Sequence, residues 1–482
     1  MTGVAVTGRS SALDLSCPLI VGFGITGQAV ARALLARGHR PIVTEDRPGD
    51  HHREAASALA LELVEEPDSD RLSDLVDRAT VLLPSPGVPD HHPVFALAAA
   101  RGLGVASEFD LAQTWDDRPV VAITGTNGKT TVTMMVADAL NRSGRAAEAV
   151  GNTDVPFVES IDNPDTEVFV VEASSFRLAH SAEFRPEVAA WLNFAPDHLD
   201  AHASLQAYED AKASIWDNVE PSGTIVANAD DPVVVGRLPR SASTSPTASA
   251  SPTASASPTR TAGGPPGPTI QLFSITGDAH WSIDRSGPEP RLVGPDGPFL
   301  DVSQLTRRQP HDLSNALAVA AIATAAGASM SGIEATLRTF SGLAHRLEFL
   351  GQWDDVRWYN DSKATVPHAT VAAVGGFESV VLIAGGKSKG LSFEPLRATV
   401  PPVRSVVAIG DCAAEIEQVF AASVPVARAG SMIEAVRLAR SIAEGGDVVL
   451  LSPACASFDW YANYVQRGID FSDLVRSEVA TQ

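Results

Sequence analysis

Lysine is nearly absent from this chain. Of its 36 basic residues, five are Lys (Lys129, Lys212, Lys363, Lys387 and Lys389) and the other 31 are Arg. Arginine stays charged at any physiological pH, whereas an ammonium is a compact point charge that can lose its proton and react. In a chain that uses Arg almost everywhere, each retained Lys marks a candidate site where Arg cannot serve. Cysteine is scarce as well. Cys17, Cys412 and Cys455 lie far apart and form no C-x-x-C, which gives no support for a zinc site and fits a reducing compartment. No apolar run reaches the roughly 18 residues of a membrane span, and no N-terminal stretch joins a basic start to an apolar core. Positive charge is in deficit. A net charge of −22 argues against nucleic acid or an anionic membrane as the main partner. The expectation is a cytoplasmic protein without membrane insertion.

What is present is enough apolar residue, 44% of 482, for about three cored domains. The stretch from Pro119 to Val132 organises them. An apolar run (Val120 to Ile123) leads into Gly125-Thr126-Asn127-Gly128-Lys129-Thr130-Thr131, and a helical pattern follows. This is the phosphate-cradle design. Glycines let backbone N–H groups turn inward, the helix N-terminus adds partial positive charge, Lys reaches the β/γ-phosphates and a hydroxyl holds Mg²⁺. The spacing is G-x-x-G-K-T, because Ile123 stands where a longer loop would have its first Gly.

Upstream, Gly22-Phe23-Gly24-Ile25-Thr26-Gly27 follows an apolar strand and precedes a helix, with Glu45 and Asp46 about 20 residues on. The fingerprint fits a dinucleotide, and hence an NAD-dependent oxidoreductase. It fits a uridine-diphosphate sugar equally, since both need a diphosphate at a helix N-terminus and a hydroxyl-rich group near an acid. Ser85-Pro86-Gly87-Val88 supplies another turn at a strand end. Downstream, Glu172 closes a buried strand beside the phosphate loop and is either a loop cap or an Mg²⁺ ligand. Asn193 to Asp200, NFAPDHLD, brings His198, a candidate metal or substrate contact, and Lys212 follows on a helix expected over 205–219.

Residues 239–268 break the pattern with a tandem SPTASA repeat and a Gly/Pro run. Such a tract cannot bury a core and is expected to be a disordered loop within the second domain. Gln309 to Ala316 opens an Ala-rich helix. Leu343 onwards reads as a further doubly wound α/β unit, with polar motifs at strand ends: Tyr359-Asn360-Asp361-Ser362-Lys363-Ala364-Thr365, Gly385-Gly386-Lys387-Ser388-Lys389, and Ser452 to Asp459, SPACASFD. The expected fold is therefore α/β throughout. It comprises a Rossmann-like domain (1–117), a P-loop ATPase-type domain (118–342) and a C-terminal doubly wound domain (343–482).

Taken together, GTNGKTT, NFAPDHLD, HRLE, YNDSKAT and SPACASFDWYANYVQRG resemble, in order, the ATP-dependent Mur ligases of peptidoglycan synthesis. The phosphate loop is shared by all Mur ligases and by folylpolyglutamate synthases. The GFGITG and SPGV turns, and above all SPACASFD, point to the D-glutamate-adding branch. The resemblance implies that ATP converts the carboxylate of UDP-N-acetylmuramoyl-L-alanine to an acyl phosphate, which the amine of D-glutamate attacks. It implies a monomer using two Mg²⁺ ions. By position, Gly125, Thr126, Asn127, Gly128, Lys129, Thr130 and Thr131 match the phosphate site, and Asn315, Arg346 and Asp361 the adenosine contacts. Thr130, Glu172, His198 and Lys212 match the metal sites, with Lys212 carbamylated. Ile25, Thr26, Glu45, Asp46, Arg47, Ser85, Asn152 and His198 match the UDP-sugar site. Lys363, Thr365, Lys389, Ser457, Phe458 and Tyr464 match the D-glutamate side, with Lys129, His198, Lys212 and Lys363 as catalytic residues. The resemblance assigns no role to Lys387.

Overall fold

The computed structural model describes residues 13–153, 155–197, 202–239, 243–244, 267–388 and 391–479. His198, Lys389 and most of the 239–268 tract therefore lie outside the described residues. The chain divides into two compact units, Met1–Phe340 and Ser341–Gln482.

The first unit holds two parallel sheets. Strands β1 (Pro18–Val21), β2 (Ile42–Glu45), β3 (Leu63–Glu65), β4 (Val81–Pro84) and β5 (Gly104–Val105) form a sheet of order β3-β2-β1-β4-β5. Every pairing is parallel, and the order reverses between β2 and β4, on either side of β1. The crevice at that reversal, at the strand C-termini, is where such sheets take ligands. The second sheet uses β6 (Val120–Thr124), β7 (Ala147–Gly151), β8 (Val168–Glu172), β9 (Val188–Trp191), β10 (Thr224–Asn228), β11 (Ser243–Thr244) and β12 (Thr269–Phe273), in the order β11-β12-β10-β9-β6-β8-β7. Its inner strands VVAIT, VFVVE and VAAW are buried at every position. Unbroken apolar runs of this kind are what a sheet covered on both faces requires. A small antiparallel sheet, β13 (Ser282–Asp284), β14 (Arg291–Gly294) and β15 (Gly297–Asp301), follows.

One apolar core explains why the two parallel sheets belong to a single unit. Ile20, Val30 and Phe109 from the first sheet's side pack into the same cluster as Phe157, Phe169, Val171 and Trp191. The helix Glu108–Trp115, capped by Ser107, joins the sheets. The other face of the second sheet is covered by helices Lys129–Arg142, Pro310–Ala325 and Met330–Thr339. Each fully buried Val, Leu or Phe there contributes about 1.5–3 kcal/mol.

The second unit carries β16 (Glu348–Trp353), β17 (Val356–Asn360), β18 (Val380–Gly385), β19 (Val403–Ile409), β20 (Val426–Ala429) and β21 (Val448–Leu451), in the order β16-β17-β21-β18-β19-β20. Only β16 runs antiparallel, so the α/β expectation holds in the three large sheets. The expected helix 205–219 is shorter. It runs Leu205–Ala213 and tightens to a 3₁₀ turn, Ser214–Trp216, which tucks Ile215 and Trp216 into the core. Among the described residues no helix is long and apolar enough to cross a membrane.

Candidate active site

The phosphate loop leaves β6 and enters the helix Lys129–Arg142 through Gly128, whose φ of +81° is left-handed. A Cβ there would lie 2.7 Å from Asn315 Oδ1. Glycine is thus required twice over, for the turn and for the close approach of the Pro310–Ala325 helix. Asn315, expected from sequence on adenosine, stands directly against the loop. A small cavity of about 20 Å³ beside it is bounded by Thr131, Met135, Asp312 and Phe340.

Asn193, the first residue of the NFAPDHLD motif, holds the loop open. Its Oδ1 accepts from the backbone N–H of Thr126 (3.0 Å) and Asn127 (2.8 Å), and its Nδ2 donates to the Asn127 carbonyl (3.1 Å). The Thr126 hydroxyl bonds the backbone of Ala195 and lies 3.2 Å from the Tyr208 hydroxyl. The NFAPD segment is thereby the clamp of the phosphate loop.

Both lysines of this unit converge on one carbonyl. Lys129 Nζ donates to Gly125 O and Thr126 O, each at 2.9 Å. Lys212 Nζ donates to the same Gly125 O at 2.7 Å. Lys212 is 1% exposed. Burial first, and the neighbouring Lys129 charge second, bring its pKa down from 10.5 to about 6. At neutral pH it is a free amine, able to react as a nucleophile.

Glu172, at the C-terminus of β8, is 2% exposed. Its Oε1 accepts from Asn152 Nδ2 at 2.9 Å. Its Oε2 is buried and has no hydrogen-bond partner among the described residues, as does the hydroxyl of Ser174 two residues on. A bare, buried carboxylate oxygen is costly unless something fills it. A hard cation with oxygen ligands is the group this donor set fits. Among the described residues there is no ready-made cluster of His, Cys and acids, and His198 lies outside them.

At the first sheet, the fingerprint turn is closed by its own glycines. A Cβ on Gly27 would sit 2.2 Å from the Gly22 carbonyl. Ser85 Oγ donates to that same carbonyl at 2.6 Å. Glu45 spends each oxygen on a backbone N–H, of Phe23 (2.7 Å) and Arg47 (2.9 Å), so it shapes the turn as well as facing it. Asp46 Oδ2 lies 2.8 Å from His92 Nε2. A cavity of about 530 Å³ opens beside that pair, lined by Pro67, Leu72, Pro93 and Leu97. Ile25 is 72% exposed at the tip of the turn, an apolar shelf suited to a flat base. Asp90, after the SPGV turn, lies 3.0 Å from His202 Nδ1, while His202 Nε2 lies 2.9 Å from Ser175 Oγ. This relay, buried at His202 and Ser175, ties the SPGV turn to the short helix Ser175–Leu178.

In the second unit the expected residues cluster at the strand C-termini. Asp361 follows β17 and accepts from Ser452 Oγ (2.8 Å) and the Leu347 N–H (3.2 Å). Burial raises its pKa to about 6. Lys363 Nζ lies 5.1 Å from the centre of the Tyr464 ring. Ser457 is buried beside Phe458, which is 69% exposed. Lys387 pairs its backbone with Ala456 and its amine with Asp411, 3.0 Å away. The organiser is Arg467, whose burial brings its pKa down to about 10. It donates to Ser362 Oγ (2.9 Å), Ser362 O (2.8 Å), Ala456 O (3.2 Å) and Cys455 O (3.1 Å). One guanidinium thus fastens the DSKAT loop to the SPACASFD loop. Asn193 and Arg467 stand inside the NFAPDHLD and SPACASFDWYANYVQRG motifs without an expected role, because Arg is ubiquitous here and a lone Asn is common in turns.

Comparison with known proteins matches residues 123–276 to the Mur ligase middle domain and residues 345–455 to the Mur ligase glutamate ligase domain. The UDP-N-acetylmuramoylalanine–D-glutamate ligase of Frankia casuarinae is 39% identical over 465 residues, 95% of this chain and 93% of the relative. Its counterpart from Desulfosudis oleivorans is 37% identical, covering 95% of each chain. The UDP-N-acetylmuramate–alanine ligase of Thermotoga maritima has the same fold, with a TM-score of 0.53 and 17% identity over 96% of this chain and 99% of that one.

Proposed function

The chain belongs to the Mur ligase family, within the UDP-N-acetylmuramoylalanine–D-glutamate ligases, and from that premise we propose how its residues perform the reaction. It is an ATP-dependent ligase that forms a carbon–nitrogen bond, adding D-glutamate to UDP-N-acetylmuramoyl-L-alanine. A carboxylate is a poor electrophile, so the amide needs an activated acyl group. The substrate carboxylate attacks the γ-phosphorus of ATP, ADP departs, and an acyl phosphate results. The amine of D-glutamate then attacks the acyl carbon and expels phosphate. We assign this chemistry to the cytoplasm and to a monomer.

The observation that carries the residue assignment is the pair of amines on Gly125 O. Lys129 is a cation within reach of the phosphate loop, and we assign it to the β/γ-phosphates, with Thr126, Asn127, Gly128 and Thr131 presenting the loop and Thr130 its hydroxyl. Lys212 is an amine unprotonated at neutral pH, the form that adds CO₂. As a carbamate it would become a carboxylate, a ligand that Arg in its place could not supply. Glu172, with its bare Oε2, would hold Mg²⁺ together with Thr130, and His198 with carbamylated Lys212 a second ion. When bound, the metal neutralises charge between phosphate and carboxylate.

Asn315 is assigned to adenosine in the first unit, and Arg346 and Asp361 to it in the second. Ile25, Thr26, Glu45, Asp46, Arg47, Ser85 and Asn152 are assigned to the UDP-sugar, with Ile25 as the shelf for the base and the helix N-terminus facing the diphosphate. Lys363, Thr365, Lys389, Ser457, Phe458 and Tyr464 are assigned to D-glutamate. We propose domain limits of 1–117, 118–342 and 343–482. The test is phosphate release from ATP with UDP-N-acetylmuramoyl-L-alanine, scanning D-Glu, L-Glu, meso-diaminopimelate and L-Lys. Release is expected with D-Glu alone, and its absence there would refute the reading.

A further inference from the structure

Arg177 sits five residues beyond Glu172 on the short helix Ser175–Leu178, 6% exposed. Its guanidinium reaches three elements at once. Nε donates to Glu108 Oε1 at 2.8 Å, Nη1 to Asn152 Oδ1 at 2.9 Å, and Nη2 to Thr26 Oγ1 at 3.1 Å. Glu108 is buried too, and its second oxygen accepts from the Val158 N–H at 3.2 Å. The charge is therefore balanced locally, and the other two donors are free to act on the site.

A guanidinium only donates. Asn152 must therefore turn its carbonyl oxygen to Arg177, which leaves its NH₂ facing Glu172 Oε1. That donor fixes the rotation of the Glu172 carboxylate and leaves Oε2 bare. With an apolar side chain at 177, the amide of Asn152 loses one of the two partners that set its orientation, Glu172 Oε1 being the other. Its flipped form would put oxygen against carboxylate. On the other side, the same guanidinium pins Thr26 in the first turn of the helix Ile25–Ala36.

We propose that Arg177 is a positioning residue of the reaction, orienting Glu172 through Asn152 and the UDP-sugar turn through Thr26. It rests on the reading of Glu172 as the cation acid and of Thr26 as a UDP-sugar contact. Binding of a divalent cation and binding of the UDP-sugar thus depend on one guanidinium by two separate arms.

The test uses the full chain and two binding readouts besides turnover: Mn²⁺ with a non-hydrolysable ATP analogue, followed by electron paramagnetic resonance, and UDP-N-acetylmuramoyl-L-alanine by calorimetry. Arg177→Met is expected to weaken each by about tenfold, the value of one charge-assisted hydrogen bond. Arg177→Lys should recover part of one arm only. In an Asn152→Leu background, Arg177→Met should no longer change Mn²⁺ affinity, and in a Thr26→Val background it should no longer change UDP-sugar affinity. A folded Arg177→Met chain with both affinities within about twofold of wild type would overturn the proposal. If that variant does not fold, additive effects of Arg177→Lys with Asn152→Leu and with Thr26→Val would overturn it equally. Glu172→Gln separates the two layers. Unchanged Mn²⁺ affinity there sinks the assignment of Glu172 itself, whereas loss there without loss in Arg177→Met sinks only the present inference.

Discussion

Removing the amine of Lys212 should cost the enzyme its activity and yet stabilise its fold. The unfolded chain carries an ordinary lysine with a pKa of 10.5, and the folded one an amine at about 6. Near pH 7.5 the native amine is about 97% unprotonated, against about 0.1% for an ordinary lysine. Between those two values the unfolded state binds a proton that the native state does not. Stability therefore rises with pH across the window from about 6 to about 10.5, and is lost as pH falls. Keeping the amine neutral near pH 7.5 costs about three pKa units, or about 4 kcal/mol. Lys212→Met removes that cost and gives up one hydrogen bond to Gly125 O, worth about 1 kcal/mol. The variant should be more stable by about 3 kcal/mol near pH 7.5 in CO₂-free buffer, and the gap should close toward pH 10. Denaturant titrations across this range measure it. A Met variant no more stable than wild type, or a gap that ignores pH, would refute the depressed pKa. In the same buffers, wild-type activity should fall as CO₂ is stripped and return with bicarbonate. Lys212→Ala should regain some activity with short carboxylates, and full activity of Lys212→Arg would refute the carbamate.

Asn193→Ala removes three hydrogen bonds to the phosphate loop and should raise the KM for ATP by about 10–100-fold, at about 1 kcal/mol for each of the bonds not replaced by water; an unchanged KM would remove the clamp from the account. Gly128→Ala puts a Cβ at φ +81° and 2.7 Å from Asn315 Oδ1, a strain of about 1–2 kcal/mol before Asn315 moves, so nucleotide binding measured by calorimetry should be lost while the melt shifts only a few degrees. Asp361, titrating at about 6 against 3.8 when unfolded, holds a proton in the native state that the unfolded state has shed, so its contribution is most favourable below about pH 3.8 and is lost as pH rises to about 6. Asp361→Asn should accordingly gain about 3 kcal/mol at pH 7 and nothing near pH 4, while the KM of the wild type for ATP climbs as pH falls through 6.

The fold was legible wherever one property decided it. Unbroken apolar strands such as VVAIT and VFVVE are possible only in a sheet covered on both faces, and the glycine spacing at Gly22–Gly27 and Gly125–Gly128 follows from close contacts that the structure displays. The helix that carries Lys212 was misjudged in length because Ile215 and Trp216 continue the apolar pattern while turning more tightly. Arg177 was invisible, and Arg467 went without a role, for a compositional reason. With 31 arginines in the chain, a buried guanidinium holding two loops together looks like any surface one.

The sequence by itself determined the residue types of the chemistry, because scarce lysines and glycine-bracketed loops are constrained locally. It determined the family as well, through motifs that keep their order along the chain. Only the tertiary structure decided that Lys129 and Lys212 meet on one carbonyl, and that burial there makes one of them an amine rather than an ammonium. Only it decided that, among the described residues, Glu172 keeps one oxygen bare while Asn152, itself held by Arg177, bonds the other. Protonation state and carboxylate orientation depend on desolvation and on partners far away in the chain, and no stretch of sequence contains either.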